Sequence, residues 1–185
     1  MKSIFKLTTV LLTLIVLSFV ATGAVNAAPM ARSSATLKVH GEIEVDNRAV
    51  ILEKFLEKYN SPFADQADVF VREADKNNLD WKFVAAISGI ESTFGKRYPQ
   101  GTYNAWGWGI YGDNMHYFES WEDGISTISY ELRTRYMDKW GATNTHEIGR
   151  FYAASPTWAQ KVEYFMAEIE EFEAEYENTE LQVLI

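Results

Sequence analysis

The chain has 185 residues, no cysteine, 17 basic and 26 acidic residues, and a formal net charge of -9. That acidic balance argues against a nucleic-acid partner, since phosphate binding needs clustered Lys and Arg, and the lack of Cys excludes disulfides and thiol nucleophiles. Stability must come from packing, for which 47% hydrophobic and 15% aromatic residues suffice, with flat ring faces left over for a ligand.

The first predicted element is an export signal. Lys2 and Lys6 precede an apolar run from Leu7 to Val20 that gives way to small residues, the pattern of a secretory signal peptide, with cleavage expected after Ala27. The alternative is an uncleaved anchor, because the run is only a little short of the ~20 residues that span a bilayer. Membrane contact is expected only in that case. Cleavage removes Lys2 and Lys6 and no acid, so 17 bases become 15 against 26 acids and the charge becomes -11. The 158 residues left (185 less 27) suit one domain, expected as a monomer that is secreted or held in the cell envelope. Residues 28–45 are small and polar, without periodicity, and read as a flexible linker.

From Asp46, a possible cap, the pattern turns helical. Val50, Leu52, Phe55 and Leu56 recur at helical spacing up to Tyr59. A second helix is expected from Pro62 to Asn77, and a third from Asp80 through DWKFVAAISGIEST. Five glycines then fall between Gly95 and Gly112. GWGIY, GDN and MHYFE read as two strands and a turn, a small β-hairpin lobe. Ser120 to Asp123 resembles a capping box that opens a fourth helix with Ile125, Ile128, Leu132 and Tyr136 on one face. Asn144 to Glu147 has a similar pattern and opens a short fifth helix through Tyr152. The sixth begins at SPTW, with Ser155 as cap and Trp158, Val162, Phe165, Met166, Ile169 and Phe172 as its apolar stripe. The acids beyond it read as a solvated face. The fold expected is mainly α, an α+β arrangement of about six helices with a hairpin lobe between the third and fourth. It occupies residues 46–174, with an acidic frayed tail at 175–185.

Glu91 is the first candidate for chemistry. Val84, Ile87 and Ser88 place it at the end of an apolar face, where partial burial favours the neutral acid. It also lies in the last helical turn, where the dipole disfavours a carboxylate. Both effects favour a carboxyl group that can donate a proton. Gly95 is well placed to end the helix. The glycine-rich loop beyond can approach a ligand closely, and Trp106, Trp108 and Tyr111 are candidates to stack on sugar rings. In a hairpin Trp106 and Trp108 share one face and Tyr111 takes the other, so at most one set lines a cleft. His40, His116 and His146 lack metal-ligand spacing, no GxSxG is present, and no metal or cofactor is expected.

Four blocks in order, GIESTFGK, YNAWGWGIYG, FESWEDGIST and FYAASPTWAQKV, resemble the lysozyme-like domains of bacterial peptidoglycan hydrolases. The likeness runs from Asp46 to Phe172 and is greatest to the mannosyl-glycoprotein endo-β-N-acetylglucosaminidase-like group, with kinship to soluble lytic transglycosylases and goose-type lysozymes. It implies that Glu91 is the general acid that protonates the glycosidic oxygen. It also implies that Ser92 is the serine that follows the acid, that Asn104 to Gly107 line the cleft floor, and that Tyr152 stands near the acid and positions it or the sugar. Glycosidases often use a second carboxylate, and Glu119 is the best candidate, ahead of Asp113 in the turn and Glu122 in a helix cap. Lytic transglycosylases need none, and related glucosaminidases use the substrate's acetamido group. The expected function is cleavage of the β-1,4-linked amino-sugar backbone of peptidoglycan or a related polymer. The alternative is a non-catalytic wall-binding or glycan-binding protein, which the acidity and the unsettled second carboxylate favour. A host or foreign glycan is a third possibility.

Overall fold

Six α-helices build the folded part of the chain, a computed structural model that describes residues 46–110 and 115–183. They are α1 (Arg48–Lys58), α2 (Ala67–Asn77), α3 (Phe83–Ser92), α4 (Trp121–Glu131), α5 (Thr145–Tyr152) and α6 (Trp158–Val183). The described residues belong to one compact unit, Ile43–Ile185. The expected signal segment and linker lie outside the described residues. Among those described, no helix is long and apolar enough to cross a membrane.

Helix α3 is the axis of the fold. It packs on α6 and also meets α2 and α4, and Phe83 through Gly89 are all buried. A helix that is apolar on every side has to sit inside others. Around it, α1 packs on α2 and α6, α2 on α4, and α5 on α6. The predicted stripe of α4 is the one that goes inside: Ile125, Ile128, Leu132 and Tyr136 are buried. Of the α6 stripe, Trp158, Val162 and Ile169 are buried, and Phe165, Met166 and Phe172 flank the core.

Helix ends differ from the sequence reading in instructive ways. Ser120 and Asn144 do cap α4 and α5, accepting from the Asp123 and Glu147 amides at 3.1 and 2.9 Å. Asp46 accepts the Arg48 amide but its neighbour Asn47 is the residue that precedes α1. After Pro62 a 3-10 turn (Ala64–Gln66) comes before α2, because Phe63 swings into the core. Ser155 does not cap α6 with its hydroxyl, which pairs with Thr157 Oγ1 instead. Helix α4 continues into a π-helical segment, Leu132–Lys139, closed by an i to i−5 bond from Trp140 N to Arg135 O at 3.0 Å. Helix α6 runs on to Val183, through the tail expected to fray. Glutamate is a good helix former, so a solvated acidic stretch continues the helix already nucleated by its packed first half.

No strand occurs among the described residues, and the expected hairpin lobe is not seen there. Gly107 and Gly109 have φ of +62° and +63°, and the Asn104 side chain accepts from Trp108 N and donates to Trp108 O, at 3.0 and 2.7 Å. Those contacts curl Asn104–Gly109 into turns where a strand would be extended. The expected turn, Gly112 to Asn114, lies outside the described residues, as does Tyr111 at the end of the expected first strand.

Candidate active site

The end of α3 is an unusual helix terminus. Three consecutive residues, Thr93, Phe94 and Gly95, have φ of 55°, 54° and 78°, so the helix stops before the glycine expected to end it. Left-handed backbone at a β-branched and a bulky residue costs on the order of 1–3 kcal/mol each and persists only where the surroundings impose it. Here they do. Phe94 N donates to Ser88 O at 3.0 Å, its ring is fully buried, and it lies over Gly89, where a Cβ would meet Phe94 Cζ at 2.7 Å.

Ser92 ties this terminus to the loop. Its buried hydroxyl accepts from Gly95 N at 2.8 Å and lies within donating distance of Ala105 O and Ser88 O, at 2.8 and 3.1 Å. The Asn104 amide, also buried, is committed to Trp108 and to His116 O at 3.1 Å. Both residues, expected to bind substrate, are buried and use their side-chain polar atoms to hold the loop. Trp106 is a clear correction. It is 0% exposed, stacks on Phe63, and donates its indole N–H to Val84 O at 3.0 Å, so neither ring face is open to a sugar.

What the loop delivers is a backbone edge beside Glu91. A Cβ at Gly107 would lie 3.2 Å from Glu91 Oε2. On the other side Trp158 Nε1 donates to Glu91 Oε1 at 2.8 Å. The residue as a whole is exposed to solvent, yet protein packed around the carboxyl raises its pKa above 4.5; the Trp158 bond and the positive charge of Lys161 pull the other way. Among the described residues no carboxylate hydrogen-bonds to Glu91, whose bonded partner is the Trp158 indole. The two oxygens are therefore distinct. An indole nitrogen can only donate, so Oε1 is the acceptor and a proton on the neutral acid belongs on Oε2, the Gly107 side.

Tyr152 supports this arrangement from behind. Its hydroxyl donates to Trp106 O at 2.8 Å, and its ring stacks on Trp158 with centroids 4.8 Å apart. Burial first, then the neighbouring Glu91 charge, holds its phenol protonated well above the ordinary range. It thus touches Trp158, the residue that donates to Glu91. Trp108 is half-buried in a group with Tyr136 and Tyr152, and the Arg135 guanidinium lies 5.4 Å from its ring. Beside it a recess of about 100 Å³ is lined by Gly107, Trp108, Ile110, Phe151 and Tyr152 among others. A larger recess, about 470 Å³, is lined by His146, Arg150 and Pro156 among others, and Glu91 is not part of its wall.

Glu119 is exposed, and its amide donates to Asp123 Oδ2 at 2.9 Å in the network that begins α4. Nothing in that geometry brings it to Glu91. His116 packs on Phe118 and His146 pairs with Glu163, and no group of metal-ligating side chains is found among the described residues. Trp158 and Lys161 were missed by sequence reasoning, which placed the tryptophan only in an apolar stripe. A buried indole needs an acceptor for its N–H, and that requirement was the available clue.

Gly107→Ala tests the close approach. The positive φ costs an alanine roughly 1–2 kcal/mol, and its Cβ crowds Oε2. The expected result is a lower melting temperature together with an altered Glu91 titration, measured by carboxyl-resolved NMR; an unchanged titration would sever the loop from the acid.

A scan against protein-family models finds no match for this chain, and a search of curated proteins finds no relative.

Proposed function

We propose that this chain is an exported enzyme that cleaves the β-1,4-linked amino-sugar backbone of peptidoglycan, with Glu91 as general acid on a lysozyme-like fold. The observation that carries the reading is the polarised carboxyl of Glu91. One oxygen is pinned by an indole donor, the other faces a glycine edge and solvent, and its pKa is raised by packing. A group so placed is protonated at higher pH than a free carboxyl and aims its proton at an oxygen entering along the loop.

The chemistry is single-acid. Proton transfer from Oε2 to the glycosidic oxygen breaks the bond to the anomeric carbon. The attacking group is then the sugar's own acetamido oxygen or a hydroxyl, since among the described residues no carboxylate hydrogen-bonds to Glu91; the proton lost by that hydroxyl, or by the water that later opens the acetamido adduct, returns to the Glu91 carboxylate.

A second reading has one observation in its favour. With a single acid and a strongly acidic chain, a wall-binding protein without turnover also fits. Mass spectrometry of sugars released from purified peptidoglycan separates the two. Anhydro or reducing-end products support cleavage; retention on the wall with no released sugar supports binding alone.

A further inference from the structure

We propose that Trp140 and Phe151 form an outer sugar platform, a site separate from the acid that holds residues of the amino-sugar chain remote from the cleaved bond. The proposal rests on the glycan-cleaving reading of Glu91 and extends it.

The two rings lie side by side at the surface, 42% and 51% exposed, with centroids 5.0 Å apart. Large aromatics in contact with each other and with water need an explanation that an isolated exposed side chain does not. Their support is rigid. Trp140 leans edge-on against Tyr136, a buried residue, at 4.9 Å. The π-helical end fixes the Trp140 backbone, Gly141 N and Ala142 N return to Met137 O and Tyr136 O at 2.9 and 3.0 Å, and Glu147 Oε2 then holds Thr143 N at 2.7 Å. A preformed aromatic surface binds without the cost of ordering it.

The recess beside the rings, about 210 Å³, is lined by Trp140, Gly141, Ala142, Glu147, Arg150 and Phe151. It is below the ~300 Å³ at which pockets begin to enclose a drug-sized ligand, so a ligand lies on it. Aromatic faces with a charged rim match a sugar, which is apolar on its ring faces and bears hydroxyl and amide groups at its edge; a lipid or an apolar protein surface would leave Arg150 and Glu147 desolvated. Direction comes from Phe151, which also walls the recess containing Gly107, Trp108 and Tyr152. Phe151 is thus common to the recess at Gly107, the residue that faces Glu91, and to the recess at Trp140, which gives a sugar chain its direction from the acid to the platform.

The test uses Glu91→Gln to prevent turnover and titrates β-1,4-linked N-acetylglucosamine trimer and hexamer by calorimetry. Adding Trp140→Ala or Phe151→Ala is expected to lower the hexamer-to-trimer affinity ratio about tenfold, while Trp140→Tyr keeps it. Should Trp140→Ala not fold, Phe151→Ala carries the comparison, since its ring is half exposed. An unchanged ratio, or equal losses for trimer and hexamer, overturns the platform and leaves the acid assignment standing. Failure of the parent background to bind either oligomer overturns both.

Discussion

Glu91→Gln is expected to lower glycan cleavage by about 10²–10⁴-fold with the fold intact. The amide keeps the shape of the side chain, and its carbonyl can still accept from Trp158 Nε1, the bond now made to Oε1. What it loses is the transferable proton on the Gly107 side. Activity of the parent should persist above pH 4.5 and fall as pH rises through the raised pKa, because the acid form is the competent one. Stability follows the same group with a definite sign. The folded-state pKa lies above the unfolded value, so the folded chain binds more protons between them, and stability present below 4.5 is lost as pH rises through the folded pKa. Glu91→Gln should therefore gain melting temperature relative to the parent on moving from acid to neutral pH. Cleavage by the purified variant at the parent's rate would remove Glu91 from the reaction. Equal pH dependence of the two melting temperatures would show instead that its burial has no energetic consequence.

Where the sequence was legible, local and global demands agreed. α3 is apolar on all sides and has to be central, so a carboxylate at its end is conspicuous without any knowledge of its neighbours. The starts of α4 and α5 were readable because Ser120 and Asn144 bond within four residues. The loop was not. Alternating glycines and tryptophans match a strand pattern, but two of the glycines adopt positive φ and Asn104 closes a turn across Trp108, choices that depend on the packing of Trp106 from other helices. Period alone cannot tell which aromatic goes inside. The partner of Glu91 was hidden for a related reason: Trp158 is 67 positions away, and its helical stripe reads as core whether or not its nitrogen bonds an acid. Trp140 was hidden because an α-helical count through Tyr136 does not anticipate the π-helical turn that precedes it.

Trp106 carries the largest expected effect on stability. It joins three helices: its ring stacks on Phe63 ahead of α2 at 6.0 Å and meets Phe70 of α2 at 6.3 Å, its indole N–H bonds Val84 O of α3, and it fits so closely against α4 that a Cβ at Gly124 would meet Trp106 Cζ3 at 2.6 Å. Trp106→Ala opens a cavity at that junction and should cost about 3–5 kcal/mol, a large part of the ~5–15 kcal/mol available to a domain. Trp106→Phe is the finer probe. It keeps a ring between Phe63 and Phe70 but removes the indole bond to Val84 O, which lies within α3, a loss of about 0.5–1.5 kcal/mol. Urea unfolding midpoints should rank parent, Phe, then Ala. A tryptophan that stacked on sugar would behave in the opposite way, losing oligomer affinity at an unchanged midpoint. The two variants thus decide whether Trp106 serves the site by touching ligand or by fixing the loop, whose neighbouring Gly107 edge confronts Glu91 and whose Trp106 carbonyl receives Tyr152.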